Sequence, residues 1–181
     1  MELYRSKRVA VYREKARLQN GSVLDMEVVH THDSVIVLPV LGRDLLLTRE
    51  FRPIIGKWLW SVPAGTIEKG ERPLHCAKRE VIEEAGYIPG KITPLFQSYS
   101  SPGIITERLH FFLAESLERS GQRLEKDEQI SIKRVSMAKA LQMIRTGHVG
   151  FGPAVQVILF YAMLKREQGA KAATRTHSTK A

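Results

Sequence analysis

This 181-residue chain has a single cysteine, and its sequence shows neither a membrane-spanning segment nor the apolar run of a signal peptide. Its single cysteine, Cys76, excludes an intramolecular disulfide framework, and we interpret it as a packed thiol rather than a nucleophile. No apolar run is long enough to cross a membrane, and residues 1–5 do not begin a signal peptide. Hydrophobic residues make up 43% of the chain, which is enough for one core. We therefore expect a cytoplasmic protein with no membrane partner.

Acidic residues are also in deficit, with 19 against 28 basic residues and a net charge of +9. The excess lies at the two ends of the chain. Residues 1–20 hold six basic and two acidic side chains, and residues 165–181 hold five and one. A basic surface can attract nucleic acid. The charge is not accompanied by a nucleic-acid motif or by interleaved aromatic residues, so we expect no specific nucleic-acid partner.

Against this basic background, residues 65–87 concentrate carboxylates in a loop followed by a helix. Apolar residues recur there at spacings of three or four: Leu74, Ala77, Val81 and Ala85. That spacing predicts an amphipathic helix. Pro73 suits its first turn and Gly86 suits the residue after its end. Because residues four apart share a helix face, Glu80 and Glu84 should point the same way.

Carboxylates crowded on one helix face repel one another unless a cation lies between them. Oxygen ligands select hard cations such as Mg²⁺ or Mn²⁺. The alternative is a solvated face on which glutamates pair with lysines or arginines one turn away. A Pro-Ala-Gly turn precedes this helix, and each charge has a fixed place in a longer pattern, so the alternative is the weaker interpretation.

That longer pattern resembles the Nudix box, G-x5-E-x7-R-E-U-x-E-E-x-G-U, in which U is an aliphatic residue. Eight fixed positions are matched, by Gly65, Glu71, Arg79, Glu80, Val81, Glu83, Glu84 and Gly86. Only the last position departs, because Tyr87 stands where an aliphatic residue is usual, and that position is structural. The match is highly specific. It implies the Nudix fold, an α/β/α sandwich around a mixed sheet.

The resemblance further implies hydrolysis of a nucleoside diphosphate linked to another group, with a divalent cation, Mg²⁺ or Mn²⁺, as cofactor. By analogy, Glu80 and Glu84 are the main metal ligands, together with the carbonyl of Ala64. Glu83 is expected to support catalysis, and Arg79 to orient the helix through an ion pair with the first glutamate of the box. Metal held by carboxylates would neutralise the pyrophosphate and lower the pKa of a bound water.

The substrate class is indicated by Pro102, fifteen residues after Tyr87. A proline at this offset resembles the mark of the ADP-ribose pyrophosphatase branch of the family. The alternative is an ordinary Pro-Gly turn. On this resemblance we expect Pro102, Gly103 and Glu107 to bind a nucleotide-sugar substrate. Arg52, at the end of a predicted strand, is expected to hold the phosphates, because a guanidinium can bind a phosphate at two points.

The general base is expected from the loop at residues 121–130, because that branch of the family carries its base on a mobile loop after the sheet. The loop is polar and acidic and contains a glycine, which suits a lid. Glu128, two residues before the apolar Ile130, best matches the family position. Glu125 is the second choice, and a merely solvated acidic loop is the alternative.

The order of elements predicts an α+β protein. Strand-like segments alternate apolar and polar residues on both sides of the box helix, and helices are expected at 137–146 and 153–165. We predict a Nudix hydrolase domain at 34–166 and a basic, frayed tail at 167–181.

Residues 1–33 are predicted to form an N-terminal antiparallel β-extension. Its hairpin signal is Asn20-Gly21, since type I′ turns favour that pair. A hairpin of this size is unstable alone. In the ADP-ribose branch an N-terminal sheet packs against a second subunit, so we expect a homodimer.

Two classes of function are compatible with these residues. The first is hydrolysis of a nucleotide sugar, with ADP-ribose cleaved to AMP and ribose 5-phosphate as the favoured reaction. Among enzymes, the alternatives are a GDP-sugar pyrophosphatase of the GDP-mannose type and, less favoured, an RNA 5′-end pyrophosphohydrolase. The second class is a non-catalytic Nudix-fold nucleotide-binding module, against which the intact Glu80, Glu83 and Glu84 argue.

Overall fold

The computed structural model of the chain describes residues 1–7, 9–126 and 128–178, with side chains to residue 171. In chain order the elements are β1 Glu2–Arg5, β2 Val9–Arg17, β3 Val23–Thr31, β4 Ser34–Leu41, β5 Asp44–Arg52, β6 Lys57–Ser61, β7 Ala64–Thr66, α1 Pro73–Glu80, a π-helical segment Val81–Ala85, β8 Tyr87–Tyr99, β9 Arg108–Arg119, β10 Ile130–Ser136, α2 Met137–Arg145 and α3 Gly152–Ser178. Within these ranges, no helix is long and apolar enough to cross a membrane.

The larger sheet has the strand order β10-β5-β4-β9-β8, with β6 paired to β5 and β7 paired to β4. Strands β4 and β9 run parallel and the other pairs are antiparallel, so the sheet is mixed as predicted. Strand β4 is central and reads as a nearly continuous apolar run, buried from Val35 to Val40.

Helices cover both faces of this sheet. Successive side chains of a strand point to opposite faces. On one face, Val35 and Val37 pack with Cys76 and Ala77 of α1. On the other face, the alternate residues of β4 pack with buried side chains of α2 and α3, among them Ile158. The α+β fold with an α/β/α sandwich, predicted from the sequence, is confirmed.

The smaller sheet is antiparallel, with the order β1-β2-β3. Its hairpin turns at the predicted Asn20-Gly21, but not in the predicted type I′ conformation, because Gly21 has a φ of 85° whereas Asn20 does not have a positive φ. The Asn20 Oδ1 accepts a hydrogen bond from the Ser22 amide at 3.0 Å. Among the residues of these three strands, only Ala10 is buried. This sheet therefore has almost no core of its own.

Three local predictions differ from the structure. The box helix does not continue as an α-helix to its end, because residues 81–85 are π-helical. Short strands β1 and β7 were not predicted. The last helix begins at Gly152 and extends to Ser178, well beyond the predicted end at residue 165. Of the tail predicted to fray, residues 167–178 are thus helical and 179–181 lie outside the described residues; its fraying stays a prediction.

Candidate active site

The box helix, defined here as α1 with the π-helical segment, presents two buried carboxylates toward β7. Glu80 and Glu84 are each 6% exposed. The helix ends at Gly86, whose φ of 70° lies in the left-handed region that favours glycine. Gly65 lies directly against Glu80, since a Cβ at that position would be 1.8 Å from the Glu80 Oε1. The first glycine of the box therefore makes room for the Glu80 carboxylate.

Arg79 joins three carboxylates of the box. Its Nε lies 3.1 Å from the Glu71 Oε1, the ion pair that the family resemblance implied. Its Nη1 lies 2.6 Å from the Glu80 Oε1 and 3.0 Å from the Glu83 Oε2. The hydrogen bond from Arg79 holds the pKa of Glu71 below its ordinary value. A single guanidinium thus connects the loop before the helix to two carboxylates on the helix.

Glu84 lies deeper and makes no ion pair among the described residues. Its Oε2 accepts a hydrogen bond from the Ala64 amide at 3.2 Å. Burial raises its pKa well above the ordinary value, and the charge of Glu80 raises it further. Burial also raises the pKa of Glu80 to about 7, although Arg79 opposes the shift. The two groups resist being negatively charged together, which is the condition that a bound cation relieves.

Two more carboxylates contribute to this electrostatic environment. The charge of Glu128 raises the pKa values of Glu80 and Glu84. The pKa of Glu50 is also raised, mainly by burial and further by the charge of Glu128. Glu50 also forms an ion pair with Arg52, with 2.6 Å between its Oε2 and the Arg52 Nη2. Four acidic side chains from three elements therefore act on one another at the helix.

The donor chemistry of this group fits a hard divalent cation. The side chains supply only oxygen, which suits Mg²⁺ or Mn²⁺ rather than a soft metal. Within the described ranges, no three His, Cys, Asp or Glu side chains already stand in a coordination geometry. Glu80 is turned toward Arg79 and Glu84 toward the Ala64 amide. Ala64, Glu80 and Glu84 are thus adjacent, and their role as metal ligands stays a prediction.

A cavity of about 430 Å³ opens beside these residues. Arg52, Ala64 and Glu107 line it, together with Phe151 from the loop before α3. The guanidinium carbon of Arg52 lies 5.9 Å from the centre of the Phe151 ring, within cation–π range. The Glu107 Oε1 accepts a hydrogen bond from the Ser34 hydroxyl at 2.6 Å. The cavity is therefore lined by both a guanidinium and a carboxylate held by a hydrogen bond.

Pro102 and Gly103 lie outside this cavity. They line a second cavity of about 470 Å³, against Met26 and Val28 of the N-terminal sheet. Tyr99 lines both cavities. The structure therefore separates the predicted substrate residues into one group around Arg52 and Glu107 and another around Pro102. Their roles in substrate binding stay predictions.

The candidate base Glu128 lies in a tight turn of the loop between β9 and β10. Its Oε2 accepts a hydrogen bond from the Glu125 amide at 2.9 Å, and its own amide donates to the Glu125 carbonyl at 3.2 Å. Asp127, between them, lies outside the described residues. The two glutamates considered for the base are thus bound to each other, and Glu128 is the one whose charge acts on Glu80 and Glu84.

Sequence reasoning missed Glu50, Ser34 and Gln122. Glu50 stands opposite Ile130 in the β5–β10 register, two residues from Glu128. That register could have been found only by pairing the two strands, which are far apart in sequence. Gln122 donates from its Nε2 to the Glu84 carbonyl at 2.7 Å. Its exposed, polar loop carries no pattern that would single it out.

Cys76 is a packed thiol, as predicted. It is fully buried, and burial raises the pKa of its thiol far above the ordinary value. The Arg79 Nη2 donates to its sulfur at 3.2 Å.

Comparison with known proteins identifies the family. The sequence model of the NUDIX domain matches residues 30–155. An ADP-ribose pyrophosphatase of Bacillus subtilis (strain 168) is 32% identical over 151 residues, 82% of each chain. A GDP-mannose pyrophosphatase of Shigella flexneri serotype 5b (strain 8401) is 34% identical over 142 residues, 72% of each chain.

A solved structure supports the fold. The crystal structure of an ADP compounds hydrolase matches with a TM-score of 0.82 at 20% identity, over 93% of this chain and 92% of the other. The family match covers most of the chain, and it falls on the residues that assemble the buried carboxylates beside the Arg52 cavity. The chain belongs to the NUDIX domain family.

Proposed function

We propose that this Nudix hydrolase cleaves ADP-ribose to AMP and ribose 5-phosphate with Mg²⁺, or Mn²⁺ in its place. The observation that carries the proposal is the buried pair Glu80 and Glu84 beside a cavity that also presents Arg52. The pair favours a cation, and Arg52 favours a phosphate. A linear diphosphate is the substrate group that needs both.

The protein residues have distinct roles in this proposal. Glu80, Glu84 and the Ala64 carbonyl would hold the metal, and a metal held there would neutralise diphosphate charge and lower the pKa of a bound water. Arg52 binds a phosphate oxygen, and Glu50 orients its guanidinium through their 2.6 Å ion pair. A guanidinium held in this way loses little freedom when it binds phosphate.

Three carboxylates act around this centre. Glu128 leaves its contact with the Glu125 amide and accepts the proton of the attacking water as general base. Glu83, held by Arg79, supports the site electrostatically. Glu107, fixed by Ser34, accepts hydrogen bonds from hydroxyl groups of the sugar. Attack at phosphorus breaks the bond to the bridging oxygen, so each product keeps one phosphate.

A GDP-sugar is the second candidate substrate. The observation in its favour is the 34% identity to a GDP-mannose pyrophosphatase over 142 residues. The reaction at the diphosphate would be the same, and only the contacts to base and sugar would differ. Pro102, fifteen residues after the box, favours the ADP-ribose branch by resemblance.

A panel of substrates tests the proposal. ADP-ribose, ADP-glucose, GDP-mannose, NADH, a diadenosine polyphosphate and 5′-triphosphate RNA are incubated with Mg²⁺, and the products are resolved by chromatography. We expect the highest kcat/KM with ADP-ribose and only AMP and ribose 5-phosphate as products. Preference for GDP-mannose would move the substrate to the second candidate. Hydrolysis of none would contradict the enzymatic function.

We also propose a homodimer formed through the N-terminal sheet. That sheet buries only Ala10 and exposes Leu3, Tyr4, Val23 and Leu24. Light scattering should give twice the chain mass of 20.5 kDa for the full chain. A chain lacking residues 1–30 should give a monomer or an aggregate. The proposed location is the cytoplasm, where the free thiol of Cys76 would stay reduced.

A further inference from the structure

The loop that carries Glu128 is attached at its start to the end of the box helix. The amides of Ser120 and Gly121 both donate to the Gly86 carbonyl, at 2.8 and 3.0 Å. The Arg123 amide donates to the Glu83 carbonyl at 2.9 Å. The last carbonyls of a helix have no partner within the helix, so they are available to another segment. Here that segment is the start of the loop.

Gln122 extends this attachment with its side chain. Its Nε2 donates to the Glu84 carbonyl at 2.7 Å and to the Ile130 carbonyl at 3.3 Å. A side-chain amide has two N–H donors, so both are used. Glu84 is one of the two buried carboxylates of the box helix, and Ile130 begins β10 two residues after Glu128. One side chain therefore connects the end of the metal-binding helix to the far end of the base-carrying loop.

The backbone around Gly86 shows how close this contact is. A Cβ at Gly86 would lie 2.8 Å from both the Gln122 amide nitrogen and the Gly121 carbonyl carbon. Backbone atoms cannot move aside as a flexible side chain can. The helix end and the loop are thus in direct contact, and Gln122 spans the remaining separation to β10.

Gln122 contributes more to geometry than to the free energy of folding. The residue is exposed, so water can replace either of its hydrogen bonds. Water would not fix the separation between the two carbonyls. A displacement of about 1 Å at a distance from the chemistry can cost about a hundredfold in rate.

We propose that Gln122 is a positioning residue, which sets the distance between the Glu84 end of the box helix and the loop that carries Glu128. The proposal rests on the function proposed above, in which Glu128 is the base. Gln122 is not among the residues that line the Arg52 cavity. It acts through Glu128 by holding both ends of the loop against the helix.

The test uses Gln122→Met, which keeps the length of the side chain and removes both donors. Gln142→Met is the matched control, because Gln142 is exposed on α2 and its side chain bonds only Lys139 among the described residues. We expect kcat to fall about tenfold to a hundredfold in Gln122→Met. The KM, the Mn²⁺ affinity and the Tm should stay close to those of the control. A rate equal to that of the control would overturn the proposal.

A double-mutant cycle with Glu128→Gln separates positioning of the base from other effects. If Gln122 acts through Glu128, adding Gln122→Met to Glu128→Gln should cause little further loss of kcat. A full additional loss in the double variant would contradict the proposal, because Gln122 would then act through another group.

Hydrogen exchange gives a readout that does not depend on the reaction. Peptides covering residues 120–131 should exchange faster in Gln122→Met than in the wild-type protein or in Gln142→Met, because the Arg123 and Gly121 amides lose protection. Unchanged exchange would overturn the proposal even if activity fell. If no substrate of the panel is hydrolysed, the proposed function fails, while this exchange experiment still decides whether Gln122 fixes the loop.

Discussion

The N-terminal sheet and the box helix both carry glutamate–arginine pairs, but in opposite environments. In the N-terminal sheet Glu2 pairs with Arg5 at 2.6 Å, with 43% and 58% of the two side chains exposed, and that hydrogen bond lowers the pKa of the carboxyl group. At the box helix Glu80 also pairs with an arginine at 2.6 Å, yet its pKa is raised to about 7 because it is buried. Equal contact distances therefore accompany opposite shifts in pKa.

Burial, rather than the number of ion pairs, distinguishes the carboxylates of the box helix from those of the N-terminal sheet. Exposed pairs on the N-terminal sheet are balanced locally and screened by water. At the box helix one guanidinium, Arg79, serves three carboxylates, and Glu84 has no cation beside it among the described residues. The excess negative charge there creates the demand for a metal ion.

Replacing a buried carboxylate should have the largest effect. Glu84→Gln should lower kcat for ADP-ribose roughly 10⁴-fold, because a bound metal stabilises the transition state by several kcal/mol. Each tenfold change in rate corresponds to about 1.4 kcal/mol. The control is Glu14→Gln on the N-terminal sheet, where Glu14 pairs with His30 at 2.7 Å, and its activity should be unchanged. Addition of EDTA should abolish wild-type activity reversibly. Near-normal turnover of Glu84→Gln would separate this residue from the metal.

Removing the candidate base should have the next largest effect. Glu128→Gln should lower kcat about a thousandfold, within the range that a general base contributes, while KM changes little. Glu125→Gln is the matched change in the same turn and should cost much less. If Glu125→Gln is inactive and Glu128→Gln is not, the base is Glu125; if neither matters, Glu107 is the next carboxylate to test.

The buried pair should make the stability of the metal-free protein depend on pH. The pKa of Glu80 is about 7 in the folded protein, above its ordinary value of 4.5. Glu80 therefore contributes to the free energy of unfolding fully below pH 4.5, and this contribution is lost as the pH rises through about 7. The Tm measured in EDTA should therefore fall between about pH 5 and pH 8. Glu80→Gln should reduce this fall, whereas Glu14→Gln should not. An equal fall in Tm with pH in the wild-type protein, Glu80→Gln and Glu14→Gln would contradict the raised pKa of Glu80.

Breaking an exposed ion pair should have the smallest effect. Arg13 and Glu27 are joined at 3.0 Å, with 53% and 58% of their side chains exposed. Arg13→Ala should change the free energy of unfolding by only about 0.5 kcal/mol, as is typical of exposed pairs. Denaturant unfolding measures this change. A loss above about 2 kcal/mol would contradict this expectation and would place the pair inside the dimer interface proposed above.

The sequence was most informative where a local pattern determines the structure. The apolar spacing from Leu74 to Ala85 predicted the helix, and Asn20-Gly21 predicted the hairpin of the N-terminal sheet. The resemblance to the Nudix box implied the ion pair between Arg79 and Glu71, which the structure shows at 3.1 Å. Each of these features depends on residues that are near one another in the chain.

Features that depend on tertiary contacts could not be predicted. The π-helical segment 81–85 replaces the expected α-helix where the loop at Ser120 and Gly121 packs against the helix end. The contribution of Glu50 depends on the register that pairs β5 with β10. The separation of Pro102 from the Arg52 cavity depends on where the N-terminal sheet lies. No local sequence pattern encodes these arrangements.

Direct measurement of metal binding tests the central claim that Glu80 and Glu84 form the metal centre. Mn²⁺ is titrated into the wild-type protein, Glu84→Gln and Glu14→Gln, and the free ion is followed by electron paramagnetic resonance. We expect saturable binding to the wild-type protein and to Glu14→Gln, and a loss of affinity of at least about tenfold in Glu84→Gln. Equal Mn²⁺ affinity in Glu84→Gln and the wild-type protein would contradict it.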